Sequence, residues 1–83
     1  MTYTLVWEYP AMAEFRRLRE VDPGGAKACA IAVQELTADP CPAAAAQLAG
    51  SGYYRLRVGR WRVLYEIVDE TVTVHVAKVG RVA

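Results

Sequence analysis

The chain has 83 residues, of which 54% are hydrophobic and 23% charged, and its formal net charge is +1. This length predicts a single domain over residues 1–83, and the apolar share excludes an intrinsically disordered chain. No apolar run reaches the roughly 18 residues of a membrane span, and the N-terminus lacks a signal-peptide pattern, so we expect a cytoplasmic protein without membrane contact. The charge is uneven, because residues 1–52 hold four basic and six acidic side chains and residues 53–83 hold six basic and three acidic.

The first half of the chain predicts one strand and two helices. Polar and apolar residues alternate from Thr2 to Glu8, which indicates a strand with one buried face. Pro10 suits the first turn of a helix. Apolar residues at helical spacing predict that this helix extends over residues 11–20. The break Asp22-Pro23-Gly24-Gly25 separates it from a second helix over residues 26–38.

The two cysteines do not suggest a disulfide framework. Cys29 lies in an alanine-rich stretch of the second predicted helix, and Cys41 lies between two prolines. Neither has a nearby histidine or further cysteine of the kind that holds a metal ion. We expect both to be reduced thiols with structural roles.

The second half predicts a meander of three strands. Residues 43–48 lie between prolines and a Gly-Ser-Gly segment, and we interpret them as a loop. Strands follow over residues 53–58, 61–68 and 71–79, with tight turns at Gly59-Arg60 and Asp69-Glu70. Counting directions from the first strand through the two helices predicts a sheet that is antiparallel throughout. The helical hairpin would cover its apolar face, which makes the fold class α+β.

Two-residue turns predict which strand residues face each other. On one side of the sheet every opposed pair is then apolar or aromatic, which supports this register. On the other side, Arg57 falls directly opposite Arg62. The apolar pairs are Val58–Trp61, Leu56–Val63 and Tyr54–Tyr65 in the first hairpin, and Ile67–Val72, Tyr65–Val74 and Val63–Val76 in the second.

The second side of the predicted sheet is basic. Alternation along the strands brings Arg55, Arg57 and Arg62 to this face, and the last strand adds Arg81 and the only histidine, His75. Like charges placed opposite each other destabilise a sheet, so an arginine face of this kind indicates a function. Guanidinium groups bind phosphate well, and the predicted ligand is a phosphate backbone.

One long motif is the most specific pattern in the chain: Tyr-Arg-Leu-Arg-Val-Gly-x-Trp-Arg-Val-Leu-Tyr-Glu-Ile at residues 54–67. Leu-x-Gly at 48–50 precedes it, and Val-His-Val-Ala-Lys-Val-Gly-Arg at 74–81 follows it. Further motifs are Tyr-Thr-Leu-Val-Trp-x-x-x-Ala-x-x-x-Phe-x-x-Leu at 3–18 and Leu-x-x-Asp-Pro at 36–40. Together these segments resemble the RelE/ParE superfamily of toxins from type II toxin–antitoxin systems, and the resemblance covers nearly the whole chain.

The resemblance implies a RelE-like fold, a small sheet with two helices packed on it. RelE-type members are ribosome-dependent endoribonucleases that cut mRNA in the decoding site and so inhibit translation. For this chain, it implies RNA-backbone binding by five arginines: Arg55, Arg57, Arg60, Arg62 and Arg81. Arg57, Arg62 and Arg81 would also act at the scissile phosphate, where developing negative charge needs preorganised cations.

The implied partners are a cognate antitoxin protein, the ribosome and mRNA, with DNA contacted only through the antitoxin complex. Antitoxins of such systems typically order a segment as they bind, which is coupled folding. No cofactor or metal is expected, because attack of a ribose 2′-hydroxyl on the adjacent phosphorus requires none.

Two departures from the family concern the proton acceptor. Many RelE-type enzymes have lysines where this chain has Arg55 and Arg57, and arginine stays protonated in proteins. The family's terminal tyrosine has no counterpart after the Val-Gly element at residues 79–80. His75 and Glu66, on the same predicted face, are candidates for the missing role, and His75 is the one expected to be catalytic.

Two alternative functions remain open at this point. A ParE-like member would poison DNA gyrase and cut no RNA. A catalytically weak homologue would act mainly by binding its antitoxin.

Overall fold

The structure, a computed structural model, describes residues 2–81, and these form five strands and two α-helices. The strands are β1 (Thr4–Trp7), β2 (Ala45–Gln47), β3 (Tyr53–Val58), β4 (Trp61–Val68) and β5 (Thr73–Arg81), and the helices are α1 (Tyr9–Val21) and α2 (Pro23–Glu35). One mixed sheet has the strand order β1-β5-β4-β3-β2, and both helices pack on one of its faces. The predicted α+β fold with a C-terminal antiparallel meander is confirmed.

The two helices are separated by a single residue, Asp22, whose side chain caps α2. Its Oδ1 accepts a hydrogen bond from the N–H of Gly25 at 3.0 Å, and Pro23 occupies the first turn. Proline fits this position because the first helical residues have no intrahelical acceptor for their N–H groups. The predicted break at residues 22–25 is therefore the cap and first turn of α2.

Residues 45–47 form an edge strand where the sequence predicted a loop. β2 pairs antiparallel with β3, and Ala46 lies opposite Arg55. Alanine has a low strand propensity, so this pairing depends on the free edge of β3 rather than on local composition. The extra strand reverses the chain direction once more, and β1 therefore runs parallel to β5. The predicted sheet that is antiparallel throughout is wrong.

The β3–β4 hairpin has the predicted register. Tyr54 lies opposite Tyr65, and Arg57 lies opposite Arg62. The two-residue turn places Gly59 at a φ of 61°, a left-handed conformation that glycine adopts without a steric penalty.

The β4–β5 turn differs from the prediction. A short 3-10 turn at Asp69–Thr71, followed by Val72 at a φ of 50°, replaces the predicted two-residue turn. Ile67 consequently lies opposite Val74 and not opposite Val72. The predicted register of this hairpin is wrong by two residues, a shift that leaves each side chain on its predicted face.

A β-bulge at Ala77 then reverses the alternation of β5. Tyr65 pairs with Val76, whereas its neighbour Leu64 pairs with Lys78. An extra residue on one strand sends every later side chain to the opposite face. Beyond the bulge, Val79 is therefore buried, although simple alternation predicted it on the basic face.

The core lies between the helices and the inner strands. Its largest fully buried side chain is Tyr65, whose hydroxyl donates a hydrogen bond of 2.6 Å to the carbonyl oxygen of Pro40. Burial raises the pKa of Tyr65, and Tyr54 stacks on its ring at a centroid distance of 5.6 Å. Cys29 is buried in this core, and Cys41 is exposed. No helix within residues 2–81 is long and apolar enough to cross a membrane.

Candidate functional site

A groove of about 510 Å³, which we call the arginine groove, opens on the sheet face opposite the helices and reaches around the free edge of β5 to α1. It runs across β3, β4 and the end of β5, and one residue of α1 closes its far side. Its lining residues are Glu14, Leu48, Arg55, Arg62, Leu64, Lys78, Val79, Gly80 and Arg81. A smaller notch of about 140 Å³ adjoins it and is lined by Ala44, Ala46, Arg55, Arg57 and Arg62.

Burial of neighbouring residues fixes the orientation of three predicted arginines. Leu56 and Val63 are buried in the core, at 3% and 0% exposure. Successive strand residues point to opposite faces, so Arg55, Arg57 and Arg62 point away from the core and are exposed. The structure thus brings these three predicted side chains together on one surface.

The cations of this surface have no anionic partners in the part of the chain that the structure describes. The only ion pair among residues 2–81 joins His75 Nδ1 to Glu8 Oε2 at 3.6 Å. Arg57 lies directly opposite Arg62, and such like-charge pairs are unfavourable. Unpaired guanidinium groups that already face each other form a preorganised site for an anion.

The end of β5 contributes a predicted and an unpredicted cation. Arg81 also lines the groove, but the bulge pairs it with Trp61 and puts it on the same side of β5 as the buried Val79. The prediction that alternation brings Arg81 to the face of Arg55, Arg57 and Arg62 is therefore wrong. Lys78 lines the groove opposite Leu64. Lys78 could not be predicted by strand alternation, because only the bulge at Ala77 brings it to the face of Leu64.

Glu14 of α1 is the second residue that sequence reasoning missed. Its Oε1 accepts a hydrogen bond from the N–H of Val79 at 2.8 Å. β1 ends at Trp7, which pairs with Val76, so the outer edge of β5 beyond that point has no neighbouring strand. A sequence signal was present, because Glu14 lies three residues after Ala11 on the apolar side of α1.

Two other predicted residues lie elsewhere. His75 sits opposite Glu66 on the sheet and beside Glu8, and it lines neither the arginine groove nor the notch. The structure therefore does not bring His75 together with the arginines, and its predicted catalytic role stays a prediction. Arg60 is exposed in the β3–β4 turn and lines neither cavity.

Arg60 instead acts on the corner between the helices. The pKa of Asp22 is lowered by hydrogen bonds from the N–H of Gly25 and from Trp61, and the positive charge of Arg60 adds to this effect. The Trp61 Nε1 donates to Asp22 Oδ2 at 2.7 Å, which ties the start of β4 to the helical corner. Among residues 2–81, no three His, Cys, Asp or Glu side chains are grouped so as to hold a metal ion.

A family model describes the relationship of the chain to known proteins. The model for the ParE toxin of the type II toxin–antitoxin system, parDE, matches residues 5–83. The chain belongs to this toxin family. It is therefore a toxin of the RelE/ParE superfamily, as the sequence motifs implied.

Solved structures of related toxins share the fold. The RelBE2 toxin–antitoxin complex from Mycobacterium tuberculosis matches 98% of this chain and 99% of that chain, with 26% identity and a TM-score of 0.82. Free E. coli RelE with two arginines mutated to alanine matches 98% of this chain and 84% of that chain, with 28% identity and a TM-score of 0.78. The RelE–RelB complex from Pyrococcus horikoshii matches 98% of this chain and 96% of that chain, with 21% identity and a TM-score of 0.81. No match was found among curated protein sequences.

Proposed function

We propose that this toxin is a ribosome-dependent endoribonuclease that cuts mRNA in the decoding site and inhibits translation. The proposal rests on the set of unpaired cations that line the arginine groove and the adjoining notch. No carboxylate lies within 4.0 Å of these cations among residues 2–81. They are Arg55, Arg57, Arg62, Lys78 and Arg81.

The geometry of the arginine pair suits a phosphodiester. Opposed residues of antiparallel strands have Cα atoms about 4.5–5.5 Å apart, so the forks of Arg57 and Arg62 can reach one phosphate together. In the proposed reaction the ribose 2′-hydroxyl attacks the adjacent phosphorus, and negative charge accumulates on the phosphate oxygens. Cations already in place stabilise that charge without reorganisation. Arg55 and Arg81 would hold the flanking backbone, and Arg60 would contact RNA beyond the groove.

The proposed protein partner is a cognate antitoxin. The similar structures from Mycobacterium tuberculosis and Pyrococcus horikoshii are toxin–antitoxin complexes, which supports this proposal. The ribosome and mRNA are the proposed targets, and DNA is reached only through the antitoxin complex.

A second candidate function is inhibition of DNA gyrase. It is favoured by one specific observation, the match of residues 5–83 to the ParE toxin model. On this alternative the arginine groove takes no part in RNA cleavage, and expression of the toxin damages DNA while mRNA stays intact.

Induced expression in growing cells, with mapping of mRNA 5′ ends, tests the proposal. We expect new ends inside translated reading frames. The Arg62→Ala variant should lower their yield by about 10²–10³, the usual effect of removing one donor to a developing anion. Lys27, exposed on α2 and away from the groove, provides the matched control Lys27→Gln. Intact mRNA at toxic levels of wild-type protein would overturn the proposal.

A further inference from the structure

We propose that Glu14 is the proton acceptor of the cleavage reaction, an inference that rests on the proposed ribonuclease function. The reaction needs a group that removes the proton of the attacking 2′-hydroxyl. The arginines of the groove cannot serve, because their guanidinium groups stay protonated. Glu14 contributes the one carboxylate among the described residues that line the groove.

A backbone hydrogen bond orients this carboxylate. The Oε1 atom accepts the N–H of Val79 at 2.8 Å, and Val79 is itself a lining residue between Lys78 and Gly80. Within residues 2–81 the Oε2 atom has no hydrogen bond, so it is free to accept a proton. Ala11 and Leu18, on the same side of α1, are buried in the core and fix the helix beneath it.

No cation of the groove clamps the Glu14 carboxylate in an ion pair. The groove exposes it to Arg55, Arg62, Lys78 and Arg81, yet none of them forms an ion pair with it within 4.0 Å. A carboxylate held by one backbone donor and not clamped by a guanidinium can still accept a proton. A purely structural acid in this place would be expected to pair with one of the four cations.

In the proposed step two protons move, one bond to phosphorus forms and another breaks. The 2′-hydroxyl transfers its proton to Glu14 Oε2, and its oxygen forms a bond to phosphorus. The bond from phosphorus to the 5′-oxygen breaks, and that oxygen takes a proton from Lys78 Nζ. The products are a 2′,3′-cyclic phosphate and a 5′-hydroxyl, after which Glu14 releases its proton to solvent and Lys78 takes one up.

The decisive variant is Glu14→Gln, tested with purified protein on ribosomes programmed with a defined mRNA under single-turnover conditions. The amide oxygen retains the hydrogen bond from Val79 but cannot accept the proton. We expect the cleavage rate to fall by about 10²–10⁴, the usual contribution of general-base catalysis, while affinity for the mRNA–ribosome complex is unchanged. The control Glu20→Gln alters an exposed carboxylate of α1 outside the groove and should cleave at the wild-type rate.

A second variant and a second substrate test the two proton transfers separately. Glu14→Asp retains the charge but withdraws the carboxylate from the groove, and its rate should lie between those of wild type and Glu14→Gln. An mRNA with sulfur in place of the 5′-bridging oxygen has a leaving group that needs no proton. It should restore cleavage by Lys78→Met but not by Glu14→Gln.

The outcomes separate this inference from the function on which it rests. Wild-type rates for both Glu14 variants, with wild-type cleavage intact, would overturn the role of Glu14 alone. Restoration of Glu14→Gln by the sulfur-containing mRNA would likewise overturn it. Absence of cleavage by the wild-type protein would overturn the ribonuclease proposal as well.

Discussion

Arg57 on β3 lies directly opposite Arg62 on β4, and among residues 2–81 neither guanidinium has a carboxylate within 4.0 Å. Their neighbours Leu56 and Val63 are buried in the core, which keeps both arginines on the outer face of the sheet. The two-residue turn at Gly59-Arg60 fixes the same register. The fold therefore holds two repelling charges together, an arrangement that an anionic ligand would stabilise.

Removal of one member of this pair should stabilise the protein and weaken its activity. We expect Arg57→Gln to raise the free energy of unfolding by about 0.2–1 kcal/mol, because cross-strand repulsion is removed. The gain should shrink at high salt, which screens exposed charges. Urea unfolding at two salt concentrations measures it, with Lys27→Gln as control. A loss of stability in Arg57→Gln would contradict the repulsion.

The contact between the helical corner and β4 should tolerate no side chain at Gly25. A Cβ at Gly25 would overlap Asp22 Oδ2 and Trp61 Nε1, whereas a Cβ at Gly24 would meet only Asp22 Oδ1, at 3.9 Å. We expect Gly25→Ala to lower the free energy of unfolding by about 1–3 kcal/mol, the usual cost of overpacking.

The neighbouring variant Gly24→Ala is the matched control. It makes the same chemical change in the same helical turn, and alanine has a higher helix propensity than glycine. Urea unfolding should therefore show Gly24→Ala to be as stable as the wild type or more so. Equal destabilisation by the two substitutions would refute the packing of Trp61 against this corner.

Asp22 should make stability depend on pH in the acidic range. Hydrogen bonds from Gly25 and Trp61 hold the pKa of its carboxyl below the ordinary value, so the folded protein binds fewer protons here than the unfolded chain. The stability that Asp22 contributes is thus complete above its unfolded pKa and is lost as the pH falls through its folded pKa. Asparagine does not titrate, so the stability difference between wild type and Asp22→Asn should be largest near neutral pH and disappear in strong acid. Thermal unfolding across this range measures the difference. A stability difference that does not change with pH would contradict the lowered pKa of Asp22.

His75 should be dispensable for RNA cleavage. It lies beside Glu8 and opposite Glu66, away from the arginine groove. We expect His75→Ala to cut mRNA on programmed ribosomes at the wild-type rate. A folded His75→Ala protein without cleavage activity would instead place the histidine in the reaction.

The part of the site that follows strand alternation was predictable from the sequence. Arg55, Arg57 and Arg62 alternate with buried apolar residues, and the short turn at Gly59-Arg60 left one register in which all apolar residues faced the core. The position of each of these arginines therefore followed from period and turn length alone.

Other parts depend on contacts that local sequence does not encode. β2 is built from alanines with low strand propensity, and it forms because β3 has a free edge. Lys78 reaches the groove through a bulge at Ala77 that has no marker such as glycine. Glu14 could have been singled out from the sequence as a carboxylate on the apolar side of α1. Its hydrogen-bond partner, the N–H of Val79, could not be predicted without the bulge.

The most direct test of the ribonuclease proposal compares two targets with the same purified protein. One reaction contains ribosomes programmed with a defined mRNA, and the other contains DNA gyrase with relaxed plasmid and ATP. We predict that wild-type protein cuts the mRNA, that Arg62→Ala cuts it at least about 10²-fold more slowly, and that gyrase supercoils normally in the presence of either protein. Intact mRNA together with inhibited gyrase would contradict the ribonuclease assignment and establish the gyrase-directed alternative.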